Sequence, residues 1–333
     1  MARTKAEAKA EAQAIEQRRS AQLAAAERRN RYFIVGGVVA GILVALGFIV
    51  FGWYQTQIRP LGKTVLQVED TKFSLAHLER RMRLEFDQSF QFTQGLTLGQ
   101  LANVVLGELE LEATLLEGAE QLEIFVTDEE VDAEVRARGN LADEVAANLF
   151  AQEFRRQVEA SGLEPDEYRQ FLRASLTQNR VLDYFAFFVP SEEPQVLIRW
   201  IVLDDEEQAK EAFLRLENGE DFAEVARQIS IETSTSEEGG LVDWSPRGAF
   251  PSEAVENYLF EEAEPGVYSE VLASGQLFYI LELVEQDDNR ALDEGQRLVV
   301  ANRELASWID DVNDTLDIER DFTAEDATHI SAN

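Results

Sequence analysis

The side chains best suited to chemistry are scarce in this chain. It has two histidines, His77 and His329, and no cysteine. Histidine general bases, histidine or thiolate metal sites, disulfides and cysteine nucleophiles therefore have almost nothing to be built from, and no cofactor or metal motif is readable. The remaining candidates lie in two apolar, β-rich runs of the C-terminal half, Val196 to Leu203 and Gln276 to Val284, which carry Trp200 and Tyr279. Indole Nε1 can only donate a hydrogen bond, whereas the tyrosine hydroxyl donates and accepts. Between the runs lies a Ser/Thr/Glu stretch, Glu232 to Glu238, which reads as a solvated connection.

These residues need a frame, and the local signals supply one. Val196 to Leu203 suits a central strand. Asp204 or Asp205 can cap a helix with Ala209, Ala212, Phe213 and Leu216 on one face, ended by Asn218-Gly219. Phe222, Val225, Ala226 and Ile229 fall at i, i+3, i+4 and i+7 and predict a second helix. Gly239-Gly240 turns the chain into Leu241 to Trp244, Ser252 begins a third helix ending near Phe260, and Glu264-Pro265-Gly266 makes a turn before strands Val267 to Leu272 and Gln276 to Val284. Four strands with helices between them predict a small α+β domain over residues 196–286.

In order and spacing, Ile198-Arg199-Trp200-Ile201-Val202, Asn218-Gly219-Glu220-Asp221-Phe222-Ala223-Glu224-Val225-Ala226, Glu238-Gly239-Gly240 and Gln276-Leu277-Phe278-Tyr279-Ile280 resemble the parvulin (PpiC-type) family of peptidyl-prolyl isomerases. The resemblance implies a four-stranded antiparallel sheet with surrounding helices. It also implies rotation about Xaa-Pro bonds, whose barrier of about 18–20 kcal/mol arises from amide resonance. A site can speed that rotation by holding the proline ring in an apolar pocket and favouring the twisted amide. A parvulin reads Ser-His-Ile-Leu and Gly-Tyr-His-Ile where this chain has Trp200 and Tyr279, and its two histidines meet beneath the active site. The resemblance thus places the catalytic positions at Trp200, Tyr279 and, for the family's Asp or Cys, Glu232. It places the prolyl pocket at Val242, Phe250 and Val255 or Ala254. Trp200 cannot reproduce an exchange between two imidazoles. A reduced network of Trp200, Tyr279 and Glu232 is one reading, and two rings that merely fill the sheet core is the other.

The N-terminal third sets the compartment. Residues 32–54 contain no charge, and at 1.5 Å per residue such a helix spans a hydrocarbon core of roughly 30 Å. Residues 1–31, rich in Ala, Glu, Gln and Arg, read as a helical segment with too few large apolar residues to form a core. Eight basic residues precede the apolar stretch, and only Arg59 and Lys63 follow closely. The positive-inside rule puts the amino terminus in the cytoplasm and the bulk outside. Gly37, Gly41 and Ala45 form a small-residue stripe that offers close packing or a dimer. The first 32 residues hold 8 basic and 4 acidic side chains, leaving 22 basic and 60 acidic beyond them, a net charge of −38. Such a surface repels nucleic acid and anionic headgroups. Attraction of basic unfolded clients and a well-hydrated surface suited to the medium are both readings of it.

Behind the apolar stretch, Thr64 to Val68 alternates as a strand, Glu69 to Lys72 turn, and Ser74 can cap a helix carrying Leu75, Leu78, Met82 and Phe86. Further helices are predicted from Thr97, from a Thr127/Glu130 capping box, over Leu141 to Glu159, and from Pro165 to about Phe187. Residues 62–190, with the phrase Val126-Thr127-Asp128-Glu129-Glu130-Val131, resemble the N-terminal chaperone domain of SurA-like and PrsA-like foldases. Asp293 to Leu316 shows an apolar helical stripe, and the resemblance implies that this C-terminal helix (292–318) returns to pack on the helical domain. Residues 323–333 read as a frayed tail.

Together these readings predict a membrane-anchored, single-pass, extracytoplasmic foldase of the SurA, PrsA and PpiD group. It would bind unfolded or proline-containing secreted polypeptides near the translocon, with weak or absent isomerase activity. The alternatives are a fully active parvulin-type isomerase and a structural subunit that uses its parvulin-like domain for docking.

Overall fold

The computed structural model describes residues 42–55, 59–88 and 95–331. The expected cytoplasmic segment, the first part of the expected membrane helix and the Gly37/Gly41 stripe lie outside those residues. Residues 42–53 are helical (α1), and their large apolar side chains are exposed on every side, from Ile42 at 55% to Phe48 at 73% and Trp53 at 57%. A surface helix normally has one polar face, and α1 has none. Among the described residues no helix is long and apolar enough to cross a membrane.

Strands β1 (Thr64–Val68) and β2 (Thr71–Ser74) pair antiparallel, with Glu69 at φ 49° in the turn. Ser74 Oγ accepts the His77 N–H at 3.2 Å, so this serine caps α2 (Leu75–Gln88). Capping boxes open α3 (Leu98–Gln121, Thr97 with Gln100) and α4 (Asp128–Arg138, Thr127 with Glu130) at the positions the sequence predicts. Next come α5 (Ala147–Ser161) and α6 (Pro165–Phe188). The helix expected from Leu141 starts only at Ala147. Asn140 takes φ 55° and the Leu141 N–H turns back to Arg136 O at 2.9 Å. Leu141 therefore completes the C-cap of α4 instead of opening a new helix.

The end of the chain departs from the expected tail. Residues Ile318–Arg320 form β7, which pairs antiparallel with β1, and Ala324–Ser331 form α12. Leu316, Ile318, Phe322 and Ile330 pack onto the core built by Leu66, Phe73, Leu78, Leu101 and Leu109. Lys63 Nζ donates to Asp326 Oδ2 at 2.8 Å, and Asp326 is buried. Ending the chain after Asp314 would strip these four large side chains from that core. At about 1–1.5 kcal/mol for each half-buried side chain, the helical unit should lose about 4–6 kcal/mol. A lowered urea midpoint is the expected result, and an unchanged midpoint would mean that the returning segment docks without stabilising.

Residues 192–291 form the second sheet, antiparallel in the order β4-β3-β6-β5. Its strands are β3 (Glu192–Leu203), β4 (Leu241–Pro246), β5 (Leu272–Ser274) and β6 (Leu277–Ala291). Asp205, not Asp204, caps α7 (Glu206–Glu217), and Asp221 caps α8 (Phe222–Ile229). These two helices cover the face presenting Ile201, Leu203 and Ile280. The opposite face presents Val196, Ile198, Val202, Tyr279, Leu281 and Leu283 toward α10 (Glu253–Asn257) and the turn after it, α9 (Thr233–Ser236) lying earlier in the chain. A fold buried on both faces explains the continuous apolar run in β3. The strand expected from Val267 shrinks to Leu272–Ser274, with one bridge at Tyr268. Ser269 Oγ accepts the Leu281 N–H at 2.9 Å, and this side-chain bond interrupts the backbone ladder.

Helix α11 (Glu294–Asn313) joins the two halves. Its C-terminal part packs on α3 and α6, with Trp308 and Phe185 rings 5.8 Å apart. A Cβ on Gly118 would lie 2.8 Å from the Trp308 ring, so only glycine lets α3 approach this closely. Toward its N-terminus, Arg303 grips Glu193 through both guanidinium nitrogens at 3.0 Å, and Gln296 Nε2 donates to Gln195 Oε1 and Trp244 O at 3.0 and 2.6 Å.

Candidate functional site

The central strands bring Trp200 and Tyr279 together. Trp200 lies opposite Leu281 and Tyr279 opposite Val202 in the β3–β6 register, so both rings point to the α10 face. Their centroids are 6.1 Å apart at 53°. Segment 232–240 clamps this corner. The Trp200 N–H donates to Gly240 O at 2.9 Å, the Gly240 N–H to Thr235 O at 2.8 Å, and Trp200 Nε1 to Thr235 Oγ1 at 2.8 Å. Gly240 has φ 78°, and a Cβ there would sit 2.2 Å from the Trp200 carbonyl oxygen. The glycine is thus required by backbone conformation and close approach at once.

The network of Trp200, Tyr279 and Glu232 does not form as a hydrogen-bonded unit. The indole reaches beyond imidazole length, and its single donor is taken by Thr235. Glu232 instead caps α9, its Oε1 accepting from the Ser234 N–H at 3.2 Å and from Ser234 Oγ at 2.7 Å. The stretch expected as a solvated connection is therefore a short capped helix that fixes Trp200. Sequence reasoning missed Thr235, since a Ser/Thr/Glu run carries no signal for which hydroxyl meets an indole.

Tyr279 is 5% exposed, and among the described residues its hydroxyl has no hydrogen-bond partner. Burial, reinforced by the Glu232 carboxylate, raises its pKa above the ordinary 10. A folded pKa above the unfolded one means that the group's contribution to stability is complete below about pH 10 and is lost as pH rises through the folded value. Tyr279→Phe should flatten the alkaline fall of the urea midpoint. The same slope in parent and variant would show a phenol that ionises as it does in water.

Val242 and Phe250 are half-buried and pack against the cluster that holds Tyr279, as does Trp200. Val255 is fully buried, so it is part of the core and presents no wall to a ligand, whereas Ala254 is exposed. The Ser252 cap, accepting the Val255 N–H at 3.4 Å, sets the phase of α10 and turns Val255 inward with Leu259. Glu256, another residue the sequence did not single out, accepts the Gly248 N–H and, at 3.5 Å, the Phe250 N–H, which holds the Phe250 loop. Phe250 also meets Phe260 edge-on at 6.2 Å. His77 lies in the helical unit beside Phe73 and Glu167 and takes no part, its pKa pushed down to about 4 mainly by burial.

A four-stranded antiparallel sheet covered on both faces, with an apolar cluster beside the Trp200/Tyr279 corner, is the arrangement that the parvulin resemblance implies. Residues 204–285 match the PPIC-type PPIASE (rotamase) domain, and residues 23–182 match the SurA-like N-terminal domain. The chain thus joins a SurA-like N-terminal domain to a PpiC-type parvulin domain, and its homologues are PrsA foldases. Foldase protein PrsA 3 of Bacillus anthracis is 26% identical over 203 residues, 56% of this chain and 64% of that protein. Foldase protein PrsA 1 of Listeria innocua is 33% identical over 96 residues, 29% of this chain and 32% of that protein. The chain therefore spans less than two thirds of these relatives. Among solved structures, the PrsA peptidylprolyl isomerase of Bacillus anthracis is 20% identical, covering 63% of this chain and 94% of that chain at a TM-score of 0.42. The parvulin domain of PpiD from E. coli is 30% identical, covering 30% of this chain and 92% of that chain at a TM-score of 0.25.

Proposed function

We propose that this chain is a membrane-anchored, extracytoplasmic foldase that holds unfolded, proline-containing secreted polypeptides while isomerising prolyl bonds weakly or not at all. The observation that carries the catalytic half is the Trp200 Nε1 bond to Thr235 Oγ1. It occupies the one donor that Trp200 possesses, in the place where the family has an imidazole able to donate and accept. Val242 and Phe250 keep an apolar surface beside it for a proline ring. The foldase names of the relatives support the client-holding half.

Anchoring is supported by the uncharged stretch 32–54, the basic residues before it and the exposure of apolar side chains on every side of α1. The proposed division is a helical chaperone domain over 62–190, a parvulin-like domain over 196–286 and a clasping helix over 292–318. A second reading, an active isomerase, is favoured by the unpartnered Tyr279 hydroxyl, which is free to meet an amide. A protease-coupled assay of the full-length chain on a prolyl peptide separates the two. Turnover equal to buffer, with suppression of client aggregation by the same preparation, is the expected result. Turnover well above buffer overturns the first reading.

A further inference from the structure

At the C-terminal end of α6, five aromatic side chains form a continuous ladder from solvent to core. Phe187 and Phe188 meet edge-on at 5.1 Å, Phe188 and Tyr184 lie tilted at 5.0 Å, Tyr184 and Phe185 meet edge-on at 5.5 Å, and Phe185 lies tilted on Trp308 of α11 at 5.8 Å. The inner end is packed, but Phe187 is 80% and Phe188 63% exposed. Two adjacent phenylalanines in water forfeit burial worth keeping unless something covers them. Beside them opens a cavity of about 430 Å³ lined by Tyr184, Phe185, Phe188, Pro190, Val300 and Glu304. That size falls in the range of sites that take a small ligand or a few side chains, not a folded domain.

The charges around it are one-sided. Asp183, beside Tyr184 in α6, and Glu192, two residues past Pro190, are exposed and make no ion pair among the described residues, whereas Glu304, which lines the cavity, is paired with Arg303. The nearby cations are engaged. Arg297 donates to the carbonyls of Pro190, Val189 and Ala186 at 3.0, 3.3 and 3.4 Å, and Arg303 is held by Glu193 and Glu304. An apolar ladder with the unpaired Asp183 and Glu192 next to it in the chain, on a protein of net charge −34, complements a chain that is apolar and cationic. A second copy of this chain, at net charge −34, and an anionic lipid surface are both repelled.

We propose that the Tyr184–Phe188 ladder and its cavity form a second polypeptide-binding site, separate from the Trp200/Tyr279 corner, for extended segments that combine large apolar side chains with lysine or arginine. This rests on the client-holding reading above and names where such a chain is held. Proline is not required for it.

The test uses the full-length chain in zwitterionic nanodiscs, with empty discs as blank, and a fluorescent proline-free peptide alternating lysine with phenylalanine and leucine. The parent should bind it, the same peptide with glutamate for lysine should bind at least tenfold more weakly, and added salt should weaken binding. Phe187→Ser with Phe188→Ser, both at exposed positions, should weaken binding at least tenfold without changing the urea midpoint. Equal binding by parent and double variant, or of the two peptides, overturns the proposal. So does a parent dimer that the double variant abolishes, or attachment to anionic vesicles that it abolishes. Aggregation suppression keeps the two readings apart. A parent that suppresses client aggregation as well as the double variant does retains the chaperone reading and loses this site. A parent that binds the cationic peptide through the ladder yet suppresses nothing retains the site and loses the chaperone reading.

Discussion

A chain carrying Trp200→His with Tyr279→His is expected to isomerise a prolyl peptide measurably above buffer, at least about tenfold over any residual turnover of its parent. The expectation follows from what the parent lacks at that corner. Trp200 has one donor, and it is bonded to Thr235 at 2.8 Å. Tyr279 offers one hydroxyl from a nearly buried position. Two imidazoles would restore groups that donate and accept within the same face of the sheet, next to Val242 and Phe250. One net hydrogen bond is worth about 0.5–1.5 kcal/mol, and about 1.4 kcal/mol is tenfold in rate, provided that the bond is made more strongly to the twisted amide than to the planar one. The single variant Trp200→His should gain less, because Tyr279 would still face the imidazole. Protease-coupled kcat/KM values for parent, single and double variants are the measurement. No gain in the double variant would show that the prolyl surface itself is misplaced, not merely short of polar groups.

Gly240→Ala is expected to cost the parvulin-like domain about 2–5 kcal/mol. An L-residue held at φ 78° gives up about 1–2 kcal/mol. Overlap with backbone that cannot yield adds about 1–3 kcal/mol, and the atom met at 2.2 Å is the Trp200 carbonyl oxygen. Gly219 supplies the control, since it has φ 89° and nothing within 4 Å of an added Cβ. Gly219→Ala should therefore show the conformational cost alone. Urea midpoints of the two variants separate contact from conformation, and equal losses would mean that the Trp200 backbone can move aside.

The elements that the sequence made legible are those governed by local chemistry. Thr97, Thr127, Ser74 and Ser252 each open a helix where the sequence predicts one, and the helix expected from Phe222, Val225, Ala226 and Ile229 forms over Phe222–Ile229. The two long strands followed from apolar runs, and Trp200 and Tyr279 met because their register is set by those runs. What stayed hidden depends on contacts between distant positions. The pairing of Ile318–Arg320 with β1 joins segments separated by most of the chain, and three residues carry no periodicity. The capture of the indole by Thr235 depends on where α9 falls over the sheet. The choice between Ala254 and Val255 turned on one residue of helix phase, which Ser252 decides.

Exchange spectroscopy on an Xaa-Pro peptide mixed with the full-length chain reports binding and isomerisation from one sample. The Trp200 indole N–H, identified by its absence in Trp200→Phe, should shift as peptide is added, while no cis–trans exchange appears beyond that of the free peptide. Exchange cross-peaks at catalytic amounts of protein would instead show an active isomerase with Trp200 and Tyr279 in place.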